Sequence, residues 1–201
     1  LSYGERAEQT GGTFMQFPVH TAESAPPGAR AAITSIIASW GFLPNLARVM
    51  AESPAALELL LAGYAALSTK STLSPAEQQL ISVVASREND CAYCVAAHST
   101  LALEAGLAPH VLVAVRDGTS IDDPRLNALQ IATEQLVRKR GWLDAATKRV
   151  FLDAGYQSGQ LFEVVGWLAL KLLTNYTNHI AETPVDPQWL GQAWKARDRA
   201  G

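Results

Sequence analysis

Cys91 and Cys94 are the two cysteines of this chain, separated by two residues, and His98 follows four positions after the second. On a helix turning about 100° per residue, the three side chains fall within about 60° of arc. Cysteines at i and i+3 approach closely enough to bridge, and an imidazole one turn beyond Cys94 is within reach of its sulfur. This is the minimal set for thiol redox chemistry. A thiolate attacks a peroxide oxygen and becomes a sulfenic acid, which a second thiol one turn away converts to a disulfide before further oxidation. His98 has the intrinsic pKa range to take a thiol proton near neutrality and hand it to the leaving oxygen. A helix start favours the thiolate, whereas Asp90 disfavours a second negative charge beside it.

Two other readings of the same residues stay open. A CxxC pair can be half of a zinc knuckle, although zinc usually takes four ligands and no second Cys/His pair of suitable spacing accompanies it; His20, His110 and His179 are isolated. Free cysteines also pack as small inert hydrophobes. The spacing does not suit a secreted disulfide framework.

Helices must position these groups. Asn89 or Asp90 is the expected N-cap of a helix that carries Cys91 near its first turn and continues to Ala105. Ser53-Pro54, Ser74-Pro75 and Asp123-Pro124 each place a capping side chain before a proline suited to the first helical position. Gly41, Gly106, Gly118, Gly141 and Gly155 follow helical runs and mark their ends. Ile33, Ile36, Ile37 and Trp40 recur at helical spacing from Ala29 onward, and a last long helix is expected from about Ser158 to Asn178, with Pro184 interrupting the segment. A short helix is expected after Asp186-Pro187. Sustained two-residue alternation is missing, so the class is all-α. Trp40, Trp142 and Trp167 sit in or beside apolar helical faces and are expected in the core. Residues 1–28, punctuated by Gly11-Gly12, Pro18, Pro26-Pro27 and Gly28, read as an extended arm, and 29–201 as a single helical domain.

Composition narrows the function classes. Hydrophobic residues make up 48% and charged residues 17%, an ordinary globular balance. The net charge is −3 with basic residues scattered, which gives no electrostatic footprint for nucleic acid or an anionic membrane. No run approaches the roughly 18 apolar residues of a membrane span. A cytoplasmic location is expected.

The run Cys91-Ala-Tyr-Cys94-Val-Ala-Ala-His98 resembles the alkylhydroperoxidase AhpD-like branch of the carboxymuconolactone decarboxylase family. Leu73 to Gln79, the upstream Gly41-Phe-Leu-Pro-Asn45 and the downstream Asn175-Tyr-Thr-Asn-His179 look like the peroxidase-related members, so the likeness extends over most of the chain. The resemblance implies an AhpD-like helical fold, a homo-oligomer (dimer, trimer or hexamer), no cofactor or metal, a small-molecule peroxide substrate and a thiol or dihydrolipoyl-type protein reductant. It also implies that Cys94 attacks the peroxide, Cys91 resolves, and His98 relays the proton. The decarboxylase branch does not depend on the dithiol.

One departure bears on the relay. AhpD has a glutamate twelve residues before its first motif cysteine, and the matching position here is Gln79, which accepts no proton at physiological pH. The departure leaves a second function open, thiol–disulfide exchange with little peroxidase activity, and restoring a carboxylate by Gln79→Glu is expected to raise peroxide turnover. Glu77 is two positions away, and Ser74-x-x-Glu77 reads as a capping box. Glu88, just before Cys91, is a local candidate for the missing acceptor; His179, with Tyr176 or Asn175, is a distant one if the last helix packs over the motif. The more ordinary readings are a solvated carboxylate and satisfied polar contacts. Tyr93, between the cysteines, is either a pocket hydroxyl or a packing aromatic.

Overall fold

The computed structural model describes residues 16–195, so much of the expected arm lies outside the described residues. Within them the elements are helical and no strand occurs: α1 Arg30–Trp40, α2 Asn45–Met50, α3 Pro54–Lys70, α4 Pro75–Glu88, α5 Ala92–Glu104, α6 Pro109–Asp117, α7 Pro124–Arg138, α8 Ala145–Asp153 and α9 Ser158–Ala181. Short 3-10 turns span Pro27–Ala29 and Pro187–Gln192. None of the described helices is long and apolar enough to cross a membrane.

The starts follow from local chemistry. Ser53, Ser74 and Asp123 accept hydrogen bonds from the first-turn amides of α3, α4 and α7, and proline occupies the first helical position of each. Asp144 caps α8 through Thr147, a start that carries no proline signal and was not anticipated, although Gly155 marked the end of this helix; the short α2 was not anticipated. Helix α9 continues past Asn178 to Ala181 and stops where Glu182 takes a left-handed conformation (φ 47), before Pro184 is reached.

Helix α4 is the centre of the fold. It packs against α5, α7 and α9, and from Leu80 to Arg87 every residue is buried. Leu80, Ile81, Val83 and Val84 join Val95, Leu112, Leu129, Phe151 and Trp167 in the main apolar cluster. A second cluster joins Ile33, Ile36, Met50, Leu57 and Leu60 to Leu170, so α9 seals both. Close approach of α3 and α9 relies on missing side chains: a Cβ on Gly63 would stand 2.5 Å from Leu170 Cδ2.

Two tryptophans depart from the core expectation. Trp167 is buried, but Trp142 is 80% exposed and Trp40 47% exposed. Trp142 follows Gly141 in the loop after α7, where no helical face turns it inward. Trp40 is the last residue of α1 and meets Phe42 and Trp189 edge-on, at 6.4 and 6.3 Å between ring centres.

Candidate active site

The dithiol stands at the junction of α4 and α5. Asp90 N–H donates to Arg87 O and Cys91 N–H to Ser86 O, the paired bonds that close a helix through a left-handed residue. That residue is Asp90, at φ 57, where glycine is usual. The chain turns so tightly that Cys91 itself is the N-cap of α5, in place of the expected Asn89 or Asp90. Without a glycine at the turn, nothing in the run of residues marks the displaced cap. Cys94 is then the third residue of α5 and His98 lies one turn further, so the three are brought together on adjoining levels.

Both sulfurs are buried, Cys91 at 1% and Cys94 at 2% exposure, and both are free thiols. Only Cys94 of the two lines a cavity of about 460 Å³. Its walls are mostly apolar, with Ile36, Leu57, Leu60 and Leu61 on one side and Trp40, Trp167 and Trp189 on others. Among its polar lining residues, Gln79, His98, Lys171 and Tyr64 are joined in one hydrogen-bonded chain.

Helix α9 supplies the groups that face the sulfurs. Asn178 Nδ2 donates to Cys94 Sγ at 3.2 Å and lies 3.8 Å from Cys91 Sγ, and the Cys94 thiol reaches Thr174 Oγ1 at 3.7 Å. One turn earlier, Lys171 is fully buried, donating to Tyr64 Oη at 2.7 Å and to His98 Nε2. An ammonium only donates, so Nε2 is the lone-pair nitrogen of His98 and Nδ1 carries the hydrogen. Nδ1–H then donates to Gln79 Oε1 at 2.8 Å. Burial, reinforced by the Lys171 charge, holds the imidazole well below its ordinary pKa, so it stays neutral.

The two thiols are driven apart. Burial alone would raise Cys94, but the Cys91 hydrogen bond, the Lys171 charge and the contacts with Thr174 and Asn175 outweigh it and bring it down to about 6. Cys91 moves upward, because its hydrogen bond to Cys94 favours the protonated thiol, and burial and the Cys94 charge add to that. A thiolate facing the cavity, backed by a thiol that donates to it, can act as a nucleophile with a second sulfur within reach.

Tyr93 lines the cavity but is held rigidly. Its hydroxyl donates to Asp186 Oδ2 at 2.6 Å and accepts from Leu46 N–H at 3.1 Å. Burial and the neighbouring carboxylate push it upward, so it stays protonated. Asp186 also takes Asn45 N–H at 3.1 Å, which pins the Pro187–Gln192 turn over α5 and buries Trp189 against Tyr93 at 5.5 Å between ring centres.

The remaining sequence candidates lie elsewhere. Glu77 closes the start of α4: Oε2 accepts from Ser74 N–H at 2.8 Å, and Oε1 from Tyr156 Oη and Arg125 Nε. Burial raises its pKa, but these bonds hold it below the ordinary value. Glu88 is paired with Arg87 and Arg138, whose bonds likewise outweigh burial. His179 is exposed and stacks on Tyr176 at 6.3 Å, one residue out of phase with the buried Asn175–Asn178 side of α9. Asn175 is buried, donating to Ser86 Oγ and accepting from Asn89.

Lys171, Tyr64, Thr174, Asn178, Asp186 and Trp189 were not anticipated. The legible signal was Lys171, a single cation inside Leu168-Ala-Leu-Lys171-Leu-Leu173, since lysine on an apolar helical face is rarely buried without a function.

The carboxymuconolactone decarboxylase family profile matches residues 54–135, which takes in α3 to α6 and nearly all of α7, and with them Tyr64, Gln79, the dithiol and His98. Among curated proteins no sequence matches the chain. Solved structures extend the likeness to α9. An uncharacterized peroxidase-related protein from Ralstonia eutropha JMP134, an alkylhydroperoxidase AhpD core, superposes with a TM-score of 0.78 at 21% identity, covering 89% of this chain and 96% of that one. A peroxidase-related protein from Silicibacter sp. TM1040 gives 0.74 at 20% identity over 91% and 96%. The debrominase Bmp8 gives 0.74 at 14% identity over 90% and 96%. The family profile thus matches the chain over α3 to α7, and the solved structures share its AhpD-like all-helical fold.

Proposed function

We propose that this protein is a thiol-dependent peroxidase in which Cys94 attacks and Cys91 resolves. The observation that carries the reading is the asymmetry of the pair: Cys94 faces the cavity and ionises at about 6, while Cys91 stands behind it, protonated and hydrogen-bonded to it. The Cys94 thiolate takes the distal oxygen of a hydroperoxide, the O–O bond breaks, and an alcohol or water leaves once its oxygen is protonated. Cys91 then attacks the sulfenic sulfur, expelling water and closing the disulfide. Tyr93 and Trp189 wall the site and keep bulk water from the thiolate.

The cycle closes when an external dithiol reduces the disulfide. With both sulfurs almost inaccessible, a thin dihydrolipoyl-type arm entering the cavity suits the site better than a broad protein surface. A reducing compartment such as the cytoplasm would keep the pair in its active form. Assembly as a homo-oligomer belongs to the same proposal.

The test is a count of free thiols before and after one equivalent of hydroperoxide. Both thiols should be lost in the wild type and retained in Cys94→Ser. In Cys91→Ser the sulfenic acid should persist and react with a dimedone probe. Thiols that remain titratable after peroxide would end this reading. Bromide release from a bromopyrrole, assayed in parallel, separates peroxide reduction from the reaction of the debrominase that shares the fold.

A further inference from the structure

We infer that Lys171, and not His98, is the proton donor to the leaving oxygen, with His98, Gln79 and Tyr64 acting as positioning residues for its ammonium group. The inference rests on the peroxidase reading and assigns a catalytic residue outside the CxxCxxxH motif.

The placement of hydrogens leads to this. His98 offers no proton to the cavity from Nε2, because that nitrogen accepts from Lys171, and its Nδ1–H is committed to Gln79. Burial and the adjacent cation keep the ring from gaining a second proton. Lys171 has three hydrogens, of which Tyr64 Oη and His98 Nε2 take two. The ammonium lines the same cavity as Cys94, and neither of these two partners is a carboxylate. Thr174 on α9 touches Cys94, and Lys171 precedes Thr174 by one turn as His98 follows Cys94 by one turn on α5. The third hydrogen is left for a ligand in the cavity that Lys171 and Cys94 both line, where a hydroperoxide would meet the thiolate at one oxygen and the ammonium at the other.

The balance is as follows. The resting site holds a thiolate and an ammonium. The thiolate forms the S–O bond to the hydroxyl oxygen, the O–O bond breaks, and the departing alkoxide takes a proton from Lys171, leaving sulfenic acid, alcohol and a neutral amine. In the resolving step the Cys91 proton leaves with the hydroxyl as water, and Lys171 stays neutral. Reduction of the disulfide by a dithiol returns two hydrogens, and the Cys94 proton passes to the amine, restoring the pair. Gln79, where AhpD has glutamate, is consistent with this route: it fixes the tautomer of a neutral histidine and removes no proton.

The test exploits leaving-group basicity. An acyl peracid expels a carboxylate that needs no proton, whereas an alkyl hydroperoxide expels an alkoxide that does. Both require the same thiolate, so the ratio of their rate constants cancels any change in thiol ionisation or in the fraction of folded protein. Lys171→Met should lower the alkyl hydroperoxide rate constant at least ~100-fold more than the peracid one, the range of general-acid catalysis. His98→Gln, which leaves the ammonium in place, should change that ratio less than ~10-fold. If Lys171→Met does not fold, the wild type alone decides: across a series of hydroperoxides its rate should depend much less on leaving-group basicity than that of a free thiol. An unchanged ratio in Lys171→Met, or a wild-type slope as steep as the free thiol, overturns the assignment. A wild type that retains both thiols in peroxide instead overturns the peroxidase reading beneath it.

Discussion

Replacing Asn178 by leucine tests whether α9 sets the reactivity of Cys94. The amide Nδ2 donates to the sulfur at 3.2 Å, while Oδ1 of the same side chain is buried with no hydrogen-bond partner among the described residues. Leucine is close in size and removes that orphaned acceptor, so the structural cost is modest. The chemical cost is not. A hydrogen bond to a charged group contributes about 1.5–3 kcal/mol, and one pKa unit corresponds to about 1.4 kcal/mol. Losing this bond should lift the Cys94 midpoint from about 6 by roughly one to two units, to about 7–8. At pH 7 the thiolate fraction then drops from roughly nine-tenths to between about half and a tenth, by the same titration arithmetic. The assay is the rate of iodoacetamide alkylation in a Cys91→Ser background for both proteins, from pH 4.5 to 10. The variant should be about two- to tenfold slower at pH 7 and equal at the alkaline plateau. A midpoint that does not move would show that the hydrogen bond from α9 does not hold the thiolate, and the reasoning would fail.

Reduced protein should lose stability on acidification. Native Cys94 sheds its proton at about 6 but the unfolded thiol keeps it to 9.0, so the unfolded state binds more protons between them and stability rises with pH across that window. His98, held well below 6.5, acts in the same direction through 6.5. Cys91, held upward, opposes only above 9.0. Melting temperature should therefore rise from pH 5 to 8, less so in Cys94→Ser; equal slopes in the two proteins would count against a depressed Cys94. Glu77→Ala should lower stability by about 2–4 kcal/mol, since it strands Tyr156, Arg125 and the Ser74 amide, while the Cys94 alkylation midpoint stays put. A shifted midpoint would draw Glu77 into the site.

The features legible in the residues alone were local. Capping residues, proline positions and closing glycines report the backbone within one turn, so the starts of α3, α4 and α7 and the stops at Gly106 and Gly118 were legible, as was the all-α class. The i, i+3, i+7 spacing of Cys91, Cys94 and His98 is local too. Tertiary structure decided which groups meet those residues. Lys171, Thr174 and Asn178 stand some eighty residues beyond the dithiol and reach it only because α9 packs on α4 and α5. The phase of that packing turns Lys171 and Asn178 inward and His179 outward, a rotation of one residue that no linear motif encodes. The exposed Trp142 is the converse case: its apolar character is written in the sequence, but whether a neighbour covers it depends on the path of the chain after Gly141.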